Sequence, residues 1–242
     1  MKTAIVTGAS TGIGQAVAIE LSKNGFEVFL VARNEDGLQK TKQFIEKEGG
    51  KTQLFVADLS SVESINGLIS SVKENTQHVD LIANIAGIWH GKKDVYAGKD
   101  FQTFDQQVIL DTFTVGTIAP SLLVHGLLPL MYKGGKIINL SGTFENGGKG
   151  WLPYFVSKRS IEDFTVGLAQ ELDEKGIQVN CVSPSDTATD SYAKFFSEFM
   201  KDAVHPQEIA KKFAELSNPQ NTTTGKIFVI KKGQEPLESF HY

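Results

Sequence analysis

Thr7-Gly8-Ala9-Ser10-Thr11-Gly12-Ile13-Gly14 closes a short apolar run, Thr3–Thr7, and leads directly into a helical pattern from Gln15. Glycines at 8, 12 and 14 let the backbone bend tightly and come close to a pyrophosphate. The phosphate charge then meets free N–H groups and the positive end of the helix dipole. Glycine alone is not specific, since loops use it freely; the place of this turn, right after an apolar strand, gives it weight.

Outward from that turn, apolar runs recur at Val28–Ala32, Gln53–Ala57, Val79–Ala83, Lys136–Leu140, Ile177–Val182 and Lys226–Ile230. Helical patterns lie between them, near 13–24, 35–48, 61–76, 103–131, 154–174 and 206–216. Strands continuous in Val, Ile and Leu belong to a sheet covered on both sides. The alternation predicts a single α/β domain over 1–242: a Rossmann-type doubly wound sheet of about seven parallel strands, with helices on both faces. The segment 185–205 fits no strand and carries Tyr192, Phe195, Phe196, Phe199 and Met200; it reads either as a substrate flap or as packed core.

The second strand ends Val31-Ala32-Arg33-Asn34. A carboxylate at this place favours NAD, whereas a guanidinium pairs with a 2′-phosphate, so Arg33 points to NADP(H), with NAD(H) still possible. A second cluster reads Pro153-Tyr154-Phe155-Val156-Ser157-Lys158. Pro153 suits a first helical turn, and residues four apart share a helix face. The Lys158 ammonium could then act on the Tyr154 phenol, whose ordinary pKa is about 10; bringing it to neutrality takes roughly 4 kcal/mol of preferential phenolate stabilisation. Tyr132 and Lys136 show the same spacing, but Gly134-Gly135 between them argues against a shared helix.

Composition narrows the classes. The 242 residues are 40 % hydrophobic, with net charge −4 and basic residues spread along the chain, which suits a packed enzyme and argues against nucleic acid or a membrane surface. Cys181 is the sole cysteine, and His78, His90, His125, His205 and His241 are scattered, so no metal set is expected. No signal-peptide pattern follows Met1-Lys2, which predicts a cytoplasmic chain. The longest apolar stretch, Val115 to Met131, contains Ser121, His125 and two prolines; it reads as a buried helix and not as a membrane span.

Together these residues resemble the short-chain dehydrogenase/reductase family over nearly the whole chain. The Thr7–Gly14 turn resembles its cofactor signature, Asp58-Leu59 its adenine-binding pair, and Asn84-Ile85-Ala86-Gly87 its Asn-Asn-Ala-Gly element. Tyr154 and Lys158 match its active-site pair, and Pro184-Ser185-Asp186-Thr187-Ala188-Thr189 resembles its Pro-Gly…Thr segment. The resemblance implies an NADP(H) oxidoreductase acting on a carbonyl or alcohol. Tyr154 would be general acid or base, and Lys158 would hold the ribose and depress the tyrosine pKa. Cofactor contacts are implied for Gly8, Ser10, Thr11, Gly12, Ile13, Gly14, Arg33, Asp58, Leu59, Asn84, Ala86, Gly87, Tyr154, Lys158, Pro184, Thr187 and Thr189. A homo-oligomer, dimer or tetramer, is implied through helix 103–131 and the helix from Tyr154.

Two places depart from the family. Its strand ending Asn-Ile-Ser-Ser is Asn139-Leu140-Ser141-Gly142-Thr143 here; register puts Gly142 at the catalytic serine, spacing from Tyr154 puts Ser141 there, and Thr143 is within reach. Ser141 is taken as the catalytic serine. The family's relay asparagine is replaced by Phe113, with Thr112 and Thr114 as neighbours. These departures keep open a competing reading, an NADP(H)-binding sensor or scaffold of reduced or no activity. Trp89, His90, Phe144, Trp151 and the 192–200 aromatics are expected near the substrate.

Overall fold

The computed structural model describes residues 1–240; His241 and the end of the tail Gly233–Tyr242 lie outside them. The first strand, β1 (Lys2–Thr7), occupies the middle of the sheet, pairing in parallel with β2 (Phe26–Ala32) on one side and β4 (Leu81–Asn84) on the other. Alternate residues of β1 serve opposite faces. Ala4 and Val6 join one buried cluster and Ile5 the other, and this is why the run is apolar without a break.

The helix α1 (Gly12–Lys23) follows the glycine turn, α2 (Glu35–Lys47) leads to β3 (Thr52–Val56), and α3 (Val62–Asn75) returns to β4. Ser61 caps α3 by accepting from the Ser64 amide. Beyond β4 come α4 (Gln106–Phe113), α5 (Ala119–Leu127), β5 (Lys136–Leu140), α6 (Leu152–Glu171), β6 (Gln178–Pro184), α7 (Asp190–Phe195), α8 (Pro206–Ser217), β7 (Ile227–Ile230) and β8 (Leu237–Glu238). Strand order is β3-β2-β1-β4-β5-β6-β7-β8. The order reverses between β1 and β4, and in such sheets the crevice outside the carboxyl ends at that point is where ligands bind.

The expected seven parallel strands are present, and the described residues add an eighth: β8, in the polar tail, pairs antiparallel with β7. Its two residues are exposed, so no apolar alternation marked it. The helix expected over 103–131 is in fact broken. Between α4 and α5 the turns widen to a π segment, Thr114–Ile118, and Leu128–Leu130 tightens around Pro129. The stretch Gln106–Leu130 has the length and mean hydropathy, 1.5, to cross a membrane by composition. In the fold one face of it is packed: Val115, Ala119, Leu123, Val124 and Leu127 are buried against α3 and the sheet, while Leu110 and Ile118 are exposed.

Tyr132 and Lys136 do part ways. Tyr132 stacks on His78 at the surface, while Lys136 is buried in β5 with its ammonium on the Gln178 side chain.

Candidate active site

A cleft of 840 Å³ opens at the carboxyl ends of the strands, bounded by the glycine turn, the ends of β2 and β4, the loop after β5, the start of α6 and the segment after β6. The turn is built for close approach. Gly8 and Gly12 have φ of 70° and 56°, the left-handed region that disfavours a side chain. At Gly14 an added Cβ would stand 2.2 Å from the Gly8 carbonyl oxygen, so only glycine allows α1 to start where it does. Across the cleft, the Thr189 methyl lies 3.1 Å from where a Gly12 Cβ would be, and Thr189 itself caps α7 by accepting from the Tyr192 amide. This bare-backbone cradle facing a helix N-terminus fits a dinucleotide pyrophosphate.

Arg33 and Ala32 lie at the rim beyond β2. Arg33 is 3.9 Å from Asp58, and both side chains are substantially exposed. Partial burial raises the Asp58 carboxyl, but hydrogen bonds from Ser60 and the Arg33 charge outweigh it and hold the group below its ordinary value. Of the residues expected at the cofactor, Gly8, Ser10, Thr11, Gly12, Ile13, Gly14, Arg33, Leu59, Ala86, Gly87, Tyr154, Lys158, Pro184, Thr187 and Thr189 all border the cleft. Asp58 stands just behind Leu59. Asn84 is set back in the sheet: it is buried, and its amide donates to Asn139 Oδ1 at 2.9 Å, tying β4 to β5. Thr7 supports the same corner, its buried hydroxyl accepting from the Ile85 and Ala86 amides.

On α6, Lys158 is 2 % exposed and its ammonium donates to the Leu140 carbonyl at 2.8 Å, while standing 5.5 Å from the Tyr154 ring centre. Burial pulls that amine down to about 8, with Cys181 and Glu162 pushing the other way. Burial, and then Asp186, push the Tyr154 phenol above its ordinary value, so it holds its proton. Among the described residues nothing hydrogen-bonds the Tyr154 hydroxyl, although the ring edge is packed by Phe144 at 5.8 Å and Trp151 at 6.2 Å.

Ser141, expected as the catalytic serine, borders the cleft with Gly142 and Thr143. Ser141 is 2 % exposed, and its hydroxyl donates to Glu162 Oε1 at 2.5 Å. The Lys158 carbonyl, at 3.0 Å, is a second buried acceptor for the same proton. Gly142 offers no side chain, and its carbonyl accepts from Arg159 at 2.6 Å. Thr143 borders the cleft, and among the described residues no group pairs with its hydroxyl. Spacing from Tyr154 carries no sign of this contact, because the buried acceptor, Glu162, sits 21 residues from Ser141.

Phe113, treated as an active-site departure, is half-buried at the end of α4 and does not border the cleft; from that stretch only Val115 does. Thr112 is turned onto its own helix, donating to the Val108 carbonyl. The π segment brings Gly116 against α6 so closely that a Cβ there would be 2.9 Å from Ser157 Oγ. Trp89 and His90 border the cleft, and His90 Nδ1 is tied to the Gly91 carbonyl at 2.8 Å. Phe196 gathers Trp89, Trp151 and Tyr192, with ring centres 5.2 to 6.3 Å apart.

Such a cleft, a glycine cradle at the sheet's reversal point with a phenol and an ammonium on one helix face, defines a dinucleotide-dependent oxidoreductase. The comparisons with known proteins agree. The family model for short chain dehydrogenases matches residues 2–198, and the chain belongs to that family, whose members are NAD(P)-dependent oxidoreductases. An uncharacterized oxidoreductase of Bacillus subtilis (strain 168) is 29 % identical over 96 % of this chain and 84 % of its own length. A dehydrogenase/reductase from Sinorhizobium meliloti 1021 superposes with a TM-score of 0.84 at 30 % identity, covering 96 % of this chain and 94 % of the other. A short chain dehydrogenase from Burkholderia cenocepacia J2315, solved in complex with NADP, gives 0.83 at 25 % identity, over 96 % and 97 %.

Proposed function

We propose that this protein is an NADP(H)-dependent carbonyl reductase, or alcohol dehydrogenase in the reverse sense, with Tyr154 as its general acid. The observation that carries this reading is the Tyr154 hydroxyl, without a hydrogen-bond partner among the described residues, at a glycine-lined cleft beside the buried Lys158. The dinucleotide, when bound, supplies the hydride.

The chain's own residues do the rest. Backbone amides of the Gly8–Gly14 turn and the start of α1 hold the pyrophosphate, and Thr187 and Thr189 close on it from the opposite wall. Arg33 at the rim takes the 2′-phosphate, a contact NADH lacks. Lys158 holds the ribose hydroxyls and keeps positive charge beside the phenol. Thr143, in place of Ser141, donates to the substrate oxygen while Tyr154 delivers its proton. The walls given by Trp89, Phe144, Trp151, Tyr192 and Phe196 favour a largely apolar carbonyl. The 185–205 segment is the substrate flap. Leu110, Ile118, Leu152 and Val156, all exposed on α4 to α6, support a homo-oligomer.

Fluorescence titration with NADPH and NADH, followed by a panel of ketones and aldehydes, tests the reading. Arg33→Ala should weaken NADPH about tenfold or more and leave NADH nearly unchanged. Tyr154→Phe should bind NADPH normally yet lose about 10²- to 10⁴-fold in turnover. Absence of binding by either nucleotide, or turnover indifferent to Tyr154→Phe, overturns it; binding with no turnover of any carbonyl would point instead to a sensor or scaffold.

A further inference from the structure

Behind Tyr154, α6 buries a carboxylate that the proposed chemistry does not use. Glu162 lies one turn past Lys158 and is 1 % exposed. Its Oε1 accepts from Ser141 at 2.5 Å and Ser183 at 3.3 Å, and its Oε2 from Arg159 Nη1 at 2.8 Å. Desolvating such a pair costs about as much as its attraction returns, and an apolar residue of like size often serves stability equally well. A pair kept here points to geometry that an apolar residue could not give.

Arg159 reaches the other way. Its Nη2 donates to the Gly142 carbonyl at 2.6 Å, and the guanidinium lies 5.4 Å from the Phe144 ring centre and 5.6 Å from Phe155. One rigid fork therefore holds the residue on each side of Thr143. Through Phe144, whose ring centre is 5.8 Å from that of Tyr154, it also braces the phenol.

We propose that Arg159 and Glu162 are positioning residues: the buried carboxylate orients the guanidinium, and the guanidinium holds the 142–144 turn so that Thr143 and Tyr154 aim their hydroxyls at one point in the cleft. The role assigned to Thr143 and Tyr154 rests on the function proposed above; the bracing of the turn does not. A planar guanidinium with separate donors can span Glu162 and the Gly142 carbonyl, whereas a lysine ammonium on its single stem cannot hold both in that geometry.

Amide hydrogen exchange across 142–147 reads this directly, because the Thr143 and Gly147 amides are protected by the Pro184 and Phe144 carbonyls, each at 3.0 Å. Arg159→Lys keeps a positive charge beside Glu162, so the fold is not left with an orphaned carboxylate. Exchange at these two amides should rise about tenfold or more in Arg159→Lys and in Glu162→Gln. NADPH affinity should stay within about threefold of wild type, since the cradle is untouched. With isatin as probe carbonyl, kcat should fall and KM change little. Wild-type exchange in Arg159→Lys would overturn the proposal, leaving the pair as mere charge balance. Exchange decides this whether or not isatin is reduced, and failure of wild type to bind NADPH would sink the function without touching the loop measurement.

Discussion

Lys158 is a base whose ammonium the fold disfavours, and stability should report it. The unfolded chain holds that proton up to about 10.5, the folded chain only to about 8. Below about 8 both states are charged and the full cost of burial is present; above it the unfolded state binds more protons, so stability rises with pH. Cys181 works the opposite way: burial pushes its thiol up from 9.0, so above that pH the folded chain keeps a proton the unfolded chain releases, and stability falls. Melting temperature, followed without nucleotide, should therefore climb between about pH 8 and 9 in wild type relative to Lys158→Met, and the climb should extend toward pH 10 in Cys181→Ala. Equal slopes in wild type and Lys158→Met would contradict the burial argument.

The strand–turn–helix unit of β1 and α1 stands or falls on one missing carbon. Gly14→Ala would drive a methyl into the Gly8 carbonyl, 2.2 Å away, and backbone cannot swing aside as a flexible side chain could. Overpacking of this kind costs about 1–3 kcal/mol, and because the shift falls on the phosphate turn, NADPH affinity in a titration should drop about tenfold or more. Normal binding with normal melting would show the turn to be looser than its geometry. The long apolar helix shows where elements escape pattern: periodicity marks 103–131 as helical, but the turns widen at Thr114–Ile118, where Gly116 packs against Ser157, 41 residues away.

At the scale of the molecule, the two clusters on either face of the sheet carry stability. Phe213 on α8 is fully buried in the cluster with Val17 and Leu21 of α1. Phe213→Ala should cost about 3–5 kcal/mol, a large part of the roughly 5–15 kcal/mol of a typical domain. A urea melt should show the midpoint fall by that energy divided by the slope m, and a smaller loss would mean the cavity collapses.

Fold class, strand sequence and the cofactor cradle were legible in the chain because their signals are local. An apolar run, a turn that tolerates only glycine, and a phenol and ammonium four apart each lie within a single element, where geometry follows from neighbours along the backbone. Tertiary structure alone decided that the Ser141 hydroxyl turns onto Glu162, that Phe113 stands outside the cleft, that Asn84 ties strands together, and that the tail adds an antiparallel edge. Ser141 and Asn84 are held by partners 21 and 55 residues away, Glu162 and Asn139, and the edge rests on a two-residue pairing with no apolar pattern. Direction of a side chain is set by what it meets in space, and spacing along the chain carries no record of that.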